Sequence, residues 1–363
     1  MLSAKKNFLL PIFGLLFLNS CGGESEEVFS PVEGTDTQFV LSDVILPNGS
    51  QISDFMLDVD GDGRSPANGD SGSDEKNAVG GALNAATLFG LDVADRVGES
   101  IQDGRVIFLL NVRSENLTDA GNAGAWVFLG ADPDPIPCTD PADLLTCGQH
   151  LDGTGNFGIA PNSPTDDLQR GSFTDGQFNG GPGNTTLQLA LSDVGTDNIL
   201  NVPLVAARIR MDVTEDGVTN GILSGGISQD SMDQLVLPGV AALINEIINE
   251  SEGCNTEGDP AADCGCVGAG NKGLQALNFL REPVDGVRPS CSVDAAALKA
   301  HPVVGTALSP DIDILDAEGN LTADGRPNPD GVVDSVSIGL GFTAVKGSFE
   351  LPASIPPEGE IIP

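Results

Sequence analysis

Ala206-Ala-Arg-Ile-Arg-Met-Asp-Val213 sets Ile209, Met211 and Val213 against Arg208, Arg210 and Asp212. Successive side chains of a strand point to opposite faces, so this period of two marks a strand with one packed and one wet face. Thr185-Thr-Leu-Gln-Leu-Ala-Leu191 alternates in the same way, as does Val333-Asp-Ser-Val-Ser-Ile-Gly-Leu-Gly-Phe-Thr-Ala-Val345 near the C-terminus. Working outward, Phe39-Val-Leu-Ser-Asp-Val-Ile-Leu46 reads as a first strand. Arg105-Val-Ile-Phe-Leu-Leu-Asn-Val112 and Ala125-Trp-Val-Phe-Leu129 are compact apolar runs that read as buried strands. Gly180-Gly-Pro-Gly-Asn184 predicts a sharp turn. With 47 Gly and 24 Pro in 363 residues, turns are frequent and long helices few. The pattern predicts a mainly β fold with a few helices (α+β), sandwich-like, over residues 38–349. A division is possible near 131–170, and 350–363 form a C-terminal tail.

Helical spacing is confined to a few segments. Val79, Leu83, Ala86, Val93 and Val97 suggest one or two short helices broken near Gly90 and ending at Gly104. Gly221–Ile227 leads into a second helical stretch, which Ser228 or Asp230 can cap. Its apolar face runs through Leu235, Val236, Val240, Leu243, Ile244, Ile247 and Ile248, and Pro238 is expected to kink it. A short helix is expected at Val293–Lys299. Trp126 lies in an apolar run and is expected in the core.

The N-terminus reads as an export signal. Lys5 and Lys6 precede an apolar run from Phe8 to Leu18, too short for the roughly 20 residues a membrane span needs. Leu18-Asn19-Ser20-Cys21 resembles the lipobox of bacterial lipoproteins, in which cleavage before the cysteine exposes it for acylation. That resemblance makes residues 1–20 a signal peptide, Cys21 the lipidated residue and 21–37 a flexible tether rich in Gly, Ser and Glu. In that family an Asp after the cysteine retains the protein in the inner membrane. Gly22 stands there instead, which implies a lipid anchor in the outer membrane, facing the periplasm or the cell surface.

Composition restricts the partners. Loss of Lys5 and Lys6 with the leader takes the formal charge from −37 to −39, a surface that repels nucleic acid and anionic headgroups. Of the 7 cysteines, those besides Cys21 are Cys138, Cys147, Cys254, Cys264, Cys266 and Cys291. An even set in an exported chain reads as a disulfide framework. Cys138 and Cys147 flank a small loop and are expected partners. Cys264 and Cys266 are too close to pair easily, so each is expected to reach Cys254 or Cys291.

Asp58-Val-Asp60-Gly-Asp62-Gly63-Arg64 places carboxylates at every second position before a glycine. This resembles the start of EF-hand, dockerin and thrombospondin type 3 calcium loops. Calcium takes six to eight oxygens at about 2.3–2.6 Å, and alternating acids on a tight turn can aim at one point. Position twelve of an EF-hand would fall on Gly69, so Asp70 or Asp74 is the expected closing ligand. A weaker second candidate is Asp324, Asn328, Asp330 and Asp334, with a plain acidic turn as its rival.

Taken together, the Cys21 tether, the D-x-D-x-D-G loop, Cys147-Gly-Gln-His150, the glycine-rich stretch at 180–184, the C-G-C cluster and the last strand resemble uncharacterised predicted lipoproteins of the myxobacterial kind. That resemblance implies no activity. H-E-x-x-H and G-x-S-x-G are absent, and the 2 histidines, His150 and His301, lie outside any catalytic motif. The leading expectation is a non-enzymatic structural, adhesive or binding module stabilised by calcium, its partner an unknown protein. Its rivals are a carrier of an apolar ligand, with a cavity between the sheet and helix 229–250, and a hydrolase using acidic residues.

Overall fold

The computed structural model describes residues 31–355 apart from 48, 71–74, 88–92, 141–142, 191–198, 255–265, 267–269, 281–290 and 324. Cys21, Asp74, Cys264 and Asp324 therefore lie outside the described residues. The strands are β1 (Thr35–Ile45), β2 (Phe108–Ser114), β3 (Ala120–Asp134), β4 (Asn156–Ile159), β5 (Leu168–Thr174), β6 (Gln177–Ala190), β7 (Ile199–Val213), β8 (Gly217–Ser228), β9 (Ser335–Lys346) and β10 (Ser348–Phe349). The sheet runs β3-β2-β1-β9-β8-β7-β6-β5, and β5 pairs back onto β3. These eight antiparallel strands form a closed barrel, which corrects the expected sandwich. Alternation fixes which face of each strand is buried but carries no information on whether the first and last strands meet. Closure here comes from Ala123 to Trp126 of β3 pairing with Gly171 to Leu168 of β5, which leaves no open edge on that stretch.

The interior is packed. Phe39, Leu110, Phe178, Leu187, Ile209, Met211, Leu340 and Phe342 are among the side chains that fill it. Within the barrel wall a void of only about 20 Å³ remains. Each such buried large apolar side chain contributes roughly 1.5–3 kcal/mol. Outside the wall, Ile107, Leu109, Trp126 and Phe128 are covered by Phe157 of β4 and Phe349 of β10.

Connections divide by end. At one end β5–β6 turns through Asp175 and Gly176, both with positive φ as a type I′ turn requires. The other end carries the long excursions. Between β1 and β2 lie α1 (Ala78–Thr87) and α2 (Val93–Gln102). Between β8 and β9 lie α3 (Gln229–Glu250), α4 (Lys272–Leu280), α5 (Ala295–Ala300) and α6 (Pro302–Ala307). Val93, Val97 and Ile101 of α2 and Leu243, Ile244 and Ile248 of α3 join the barrel's own apolar cluster. Helices thus cap one mouth.

Several expectations shift locally. Gly180–Asn184 does not turn the chain. It lies inside β6, where the register to β7 slips at Gly183 and the Gly181–Pro182 bond is cis. Proline is tolerated there because a bulge leaves its missing N–H unneeded. Pro238 does not split α3. A π-turn over Met232–Val236 precedes it, Leu237 N–H donates to Met232 O, and Pro238 falls in the first turn of the α-helical part that follows, where its missing N–H is tolerated. β1 begins at Thr35, inside the expected tether, because Asp36 is anchored to β2. Cys138–Cys147 is bonded as expected, Cys266 reaches Cys254, and Cys291 is buried and disulfide-bonded.

Candidate functional site

The capped mouth holds an apolar cavity of about 130 Å³. α1 contributes Val79, Ala82 and Leu83, and Val93 begins α2. Leu189 and Leu200 come from β6 and β7, and α3 supplies Val236, Val240, Leu243 and Ile244. Ala276, Phe279, Leu280, Leu298, Val303, Val304, Ala307 and Leu308 complete the lining from α4 to α6. Among the described residues, every lining side chain is apolar. Two local features shape it. Val236 ends the π-turn, whose wider coil brings it to the wall. A Cβ on Gly239 would sit 2.2 Å from a Leu200 methyl, so any larger residue would displace the Leu200 side chain from the wall.

His301 secures the far wall. Its Nδ1 accepts from Val304 N–H at the start of α6, which leaves Nε2 as the donor to Phe279 O of α4, at 3.1 Å. The ring also packs on Phe279 with centroids 4.6 Å apart. His150 is elsewhere, fully buried against Phe157, and burial pushes its imidazole below the ordinary value against the opposing pull of the Ile101 backbone and Asp103.

The first acidic loop rests on the barrel's outer face, where Met56 and Val59 pack with Ala206 and Ile314. Of the expected ligands, Asp58 and Asp60 converge, and the third member is Glu75, with carboxylate oxygens of all three within 4.8 Å of one another. Asp62 instead accepts from Arg64 N–H and Asp70 from Ser65 N–H. Glu75 escaped the sequence reading because it stands outside the alternating motif. It is 3% exposed, and its Oε1 accepts from Val59 N–H. Arg208 Nη2 lies 3.9 Å from Asp58 Oδ2, so a cation of the chain already offsets part of the repulsion. Burial lowers the Arg208 guanidinium from its ordinary value, while Asp58, Glu75 and Asp60 oppose that shift.

Of the second acidic set, Asp324 lies outside the described residues and the other three serve local bonds. Asn328 Nδ2 donates to Asp316 Oδ2, Asp330 Oδ1 accepts from Val332 N–H, and Asp334 Oδ2 accepts from Ile314 and Leu315 N–H. These carboxylates close turns, the role acidic side chains commonly take in loops.

Fold and site together define a helix-capped, closed β-barrel with an apolar chamber at its mouth. No protein-family model matches the chain, and no curated protein or solved structure is significantly similar to it.

Proposed function

We propose that the protein is an exported, membrane-anchored binding protein that holds a small apolar ligand in the chamber beneath its helical cap. The chamber's wholly apolar lining carries this reading. Apolar cavities of roughly 150 Å³ stay dry and accept benzene-sized molecules, whereas a hydrated pocket needs polar partners for its water. With no donor or acceptor to meet, the buried part of the ligand is a hydrocarbon chain or ring, and any polar head stays outside. Among the described residues the lining holds no acid, histidine or nucleophile, which favours carriage over hydrolysis. The lipobox-like Cys21 supports the membrane anchor.

Mass spectrometry of an organic extract of natively purified protein tests the reading. A stoichiometric apolar compound is expected, and Ala276→Leu, which fills the chamber, should purify without it. A clean extract from the unaltered protein would argue against carriage.

Calcium at Asp58, Asp60 and Glu75 is the second part of the proposal. Oxygens up to 4.8 Å apart match twice a calcium–oxygen bond of about 2.4 Å. Water and backbone carbonyls would complete the shell, and the ion would tie the loop to the barrel. Chelator is expected to lower the melting temperature of the unaltered protein and to leave Asp60→Ala unmoved. Identical melting curves with and without chelator would refute the metal.

A further inference from the structure

We propose that a second site, the surface groove between β1 and α2, docks a basic segment of a partner protein that inserts apolar side chains. The groove, of about 500 Å³, is walled by Val44, Ile45, Leu46, Ala94 and Leu144, and Asp43, Asp95 and Glu99 stand along it. It lies on the flank of α2 and is distinct from the capped chamber.

Three observations favour a cationic, apolar-anchored occupant. First, the apolar part is exposed: Ile45 is 43%, Leu144 46% and Leu145 95% accessible. Scattered exposed leucines are ordinary, but here Leu144 lines the groove and Leu145 follows it in sequence. Second, both leucines are held by local bonds. Asp143 accepts from Leu145 N–H, Thr146 Oγ1 donates to the carbonyls of Asp140 and Asp143, and the next residue, Cys147, is bonded to Cys138. Such bonds lower the ordering cost of association. Third, the charge is one-sided. Asp43 and Glu99 have no hydrogen bond or ion pair to their carboxylates among the described residues, and no lysine or arginine lines the groove.

The net charge of −37 sets the partner's sign. A second copy of this chain or an anionic lipid surface would be repelled, whereas a segment with Lys or Arg flanking Leu or Ile would satisfy both rim and floor.

The test is fluorescence anisotropy of a labelled amphipathic peptide of leucine and lysine, titrated with the purified full-length protein. Asp43→Lys/Glu99→Lys and, separately, Leu144→Ser/Leu145→Ser should each weaken binding about tenfold, whereas Glu215→Lys/Glu318→Lys should change it less than about twofold. The last pair alters net charge equally at exposed positions outside the groove. Equal loss in both charge-reversal variants would reduce the effect to bulk attraction and overturn the proposal. Binding unchanged in every variant would overturn it as well, as would self-association in sedimentation that Asp43→Lys/Glu99→Lys abolishes.

Discussion

Asp36→Ala is expected to destabilise the protein by about 3–5 kcal/mol, the cost of taking the paired carboxylate away from a buried guanidinium. Arg113 is 2% exposed on the outer wall of the barrel. Its Nε and Nη2 donate to the two oxygens of Asp36 at 2.8 and 2.6 Å, and Asn111 Nδ2 donates to the same carboxylate at 2.8 Å. The guanidinium carbon also lies 5.6 Å from the Trp126 ring centroid, which contributes further attraction. Alanine removes both acceptors and leaves the guanidinium in a site closed to water. Asp36→Ala/Arg113→Met should cost less than the single change, since the guanidinium is removed along with the carboxylate. Urea unfolding measures both. A loss below about 1 kcal/mol for Asp36→Ala would mean that the pair behaves as an exposed one.

Asn77→Ala should cost a similar amount, about 3–5 kcal/mol, from a lost helix cap and several stranded backbone groups. β1 leaves β9 after Ile45 pairs with Gly341. The backbone of Gly339 beyond that point is taken over by the Asn77 amide. Gly339 N–H donates to Oδ1, and Nδ2 donates to Gly339 O and Ile52 O. Oδ1 also accepts from Gly80 N–H in the first turn of α1. The side chain is fully buried and uses both donors and both acceptor sites, in effect standing in for the missing strand. Its backbone has φ 57°, a conformation Asn tolerates better than Ala. Gly339 belongs to the same contact, because a Cβ there would lie 2.2 Å from Phe55 O. Thermal unfolding with loss of α1 signal before the barrel melts is the expected signature. Unfolding that coincides with that of the unaltered protein would contradict this role.

The strands were legible where alternation met a wet outer face. Ile209, Met211 and Val213 are buried in β7 as their period requires. Long, strongly patterned elements declare themselves this way because each side chain's environment repeats every second residue. β4, β5, β8, β10, α4 and α6 were not foreseen, and Gly221–Ile227, expected only to lead into a helix, lies in β8. β4 and β10 are short and pack as a patch on the outer wall, and α4 follows the cysteine cluster, where spacing between crosslinks masks helical period. Barrel closure was also illegible, since it depends on β3 reaching β5 across an intervening loop. The cavity lay within the expected place, between the strands and helix 229–250. Eight of its 18 lining residues come from α4 onward, where only the α5 helix was legible in sequence. Among the carboxylates, alternation identified Asp58 and Asp60, which converge with Glu75, but also drew in Asp62 and Asp70, which do not join that cluster.

The chamber is expected to accept an apolar guest. Calorimetric titration of benzene into the unaltered protein and into Ala276→Leu tests this directly. Saturable binding is expected for the former and none for the latter, with a higher melting temperature for the filled variant, because a void has been replaced by contacts. Equal heats in both proteins, or no binding to the unaltered one, would contradict it.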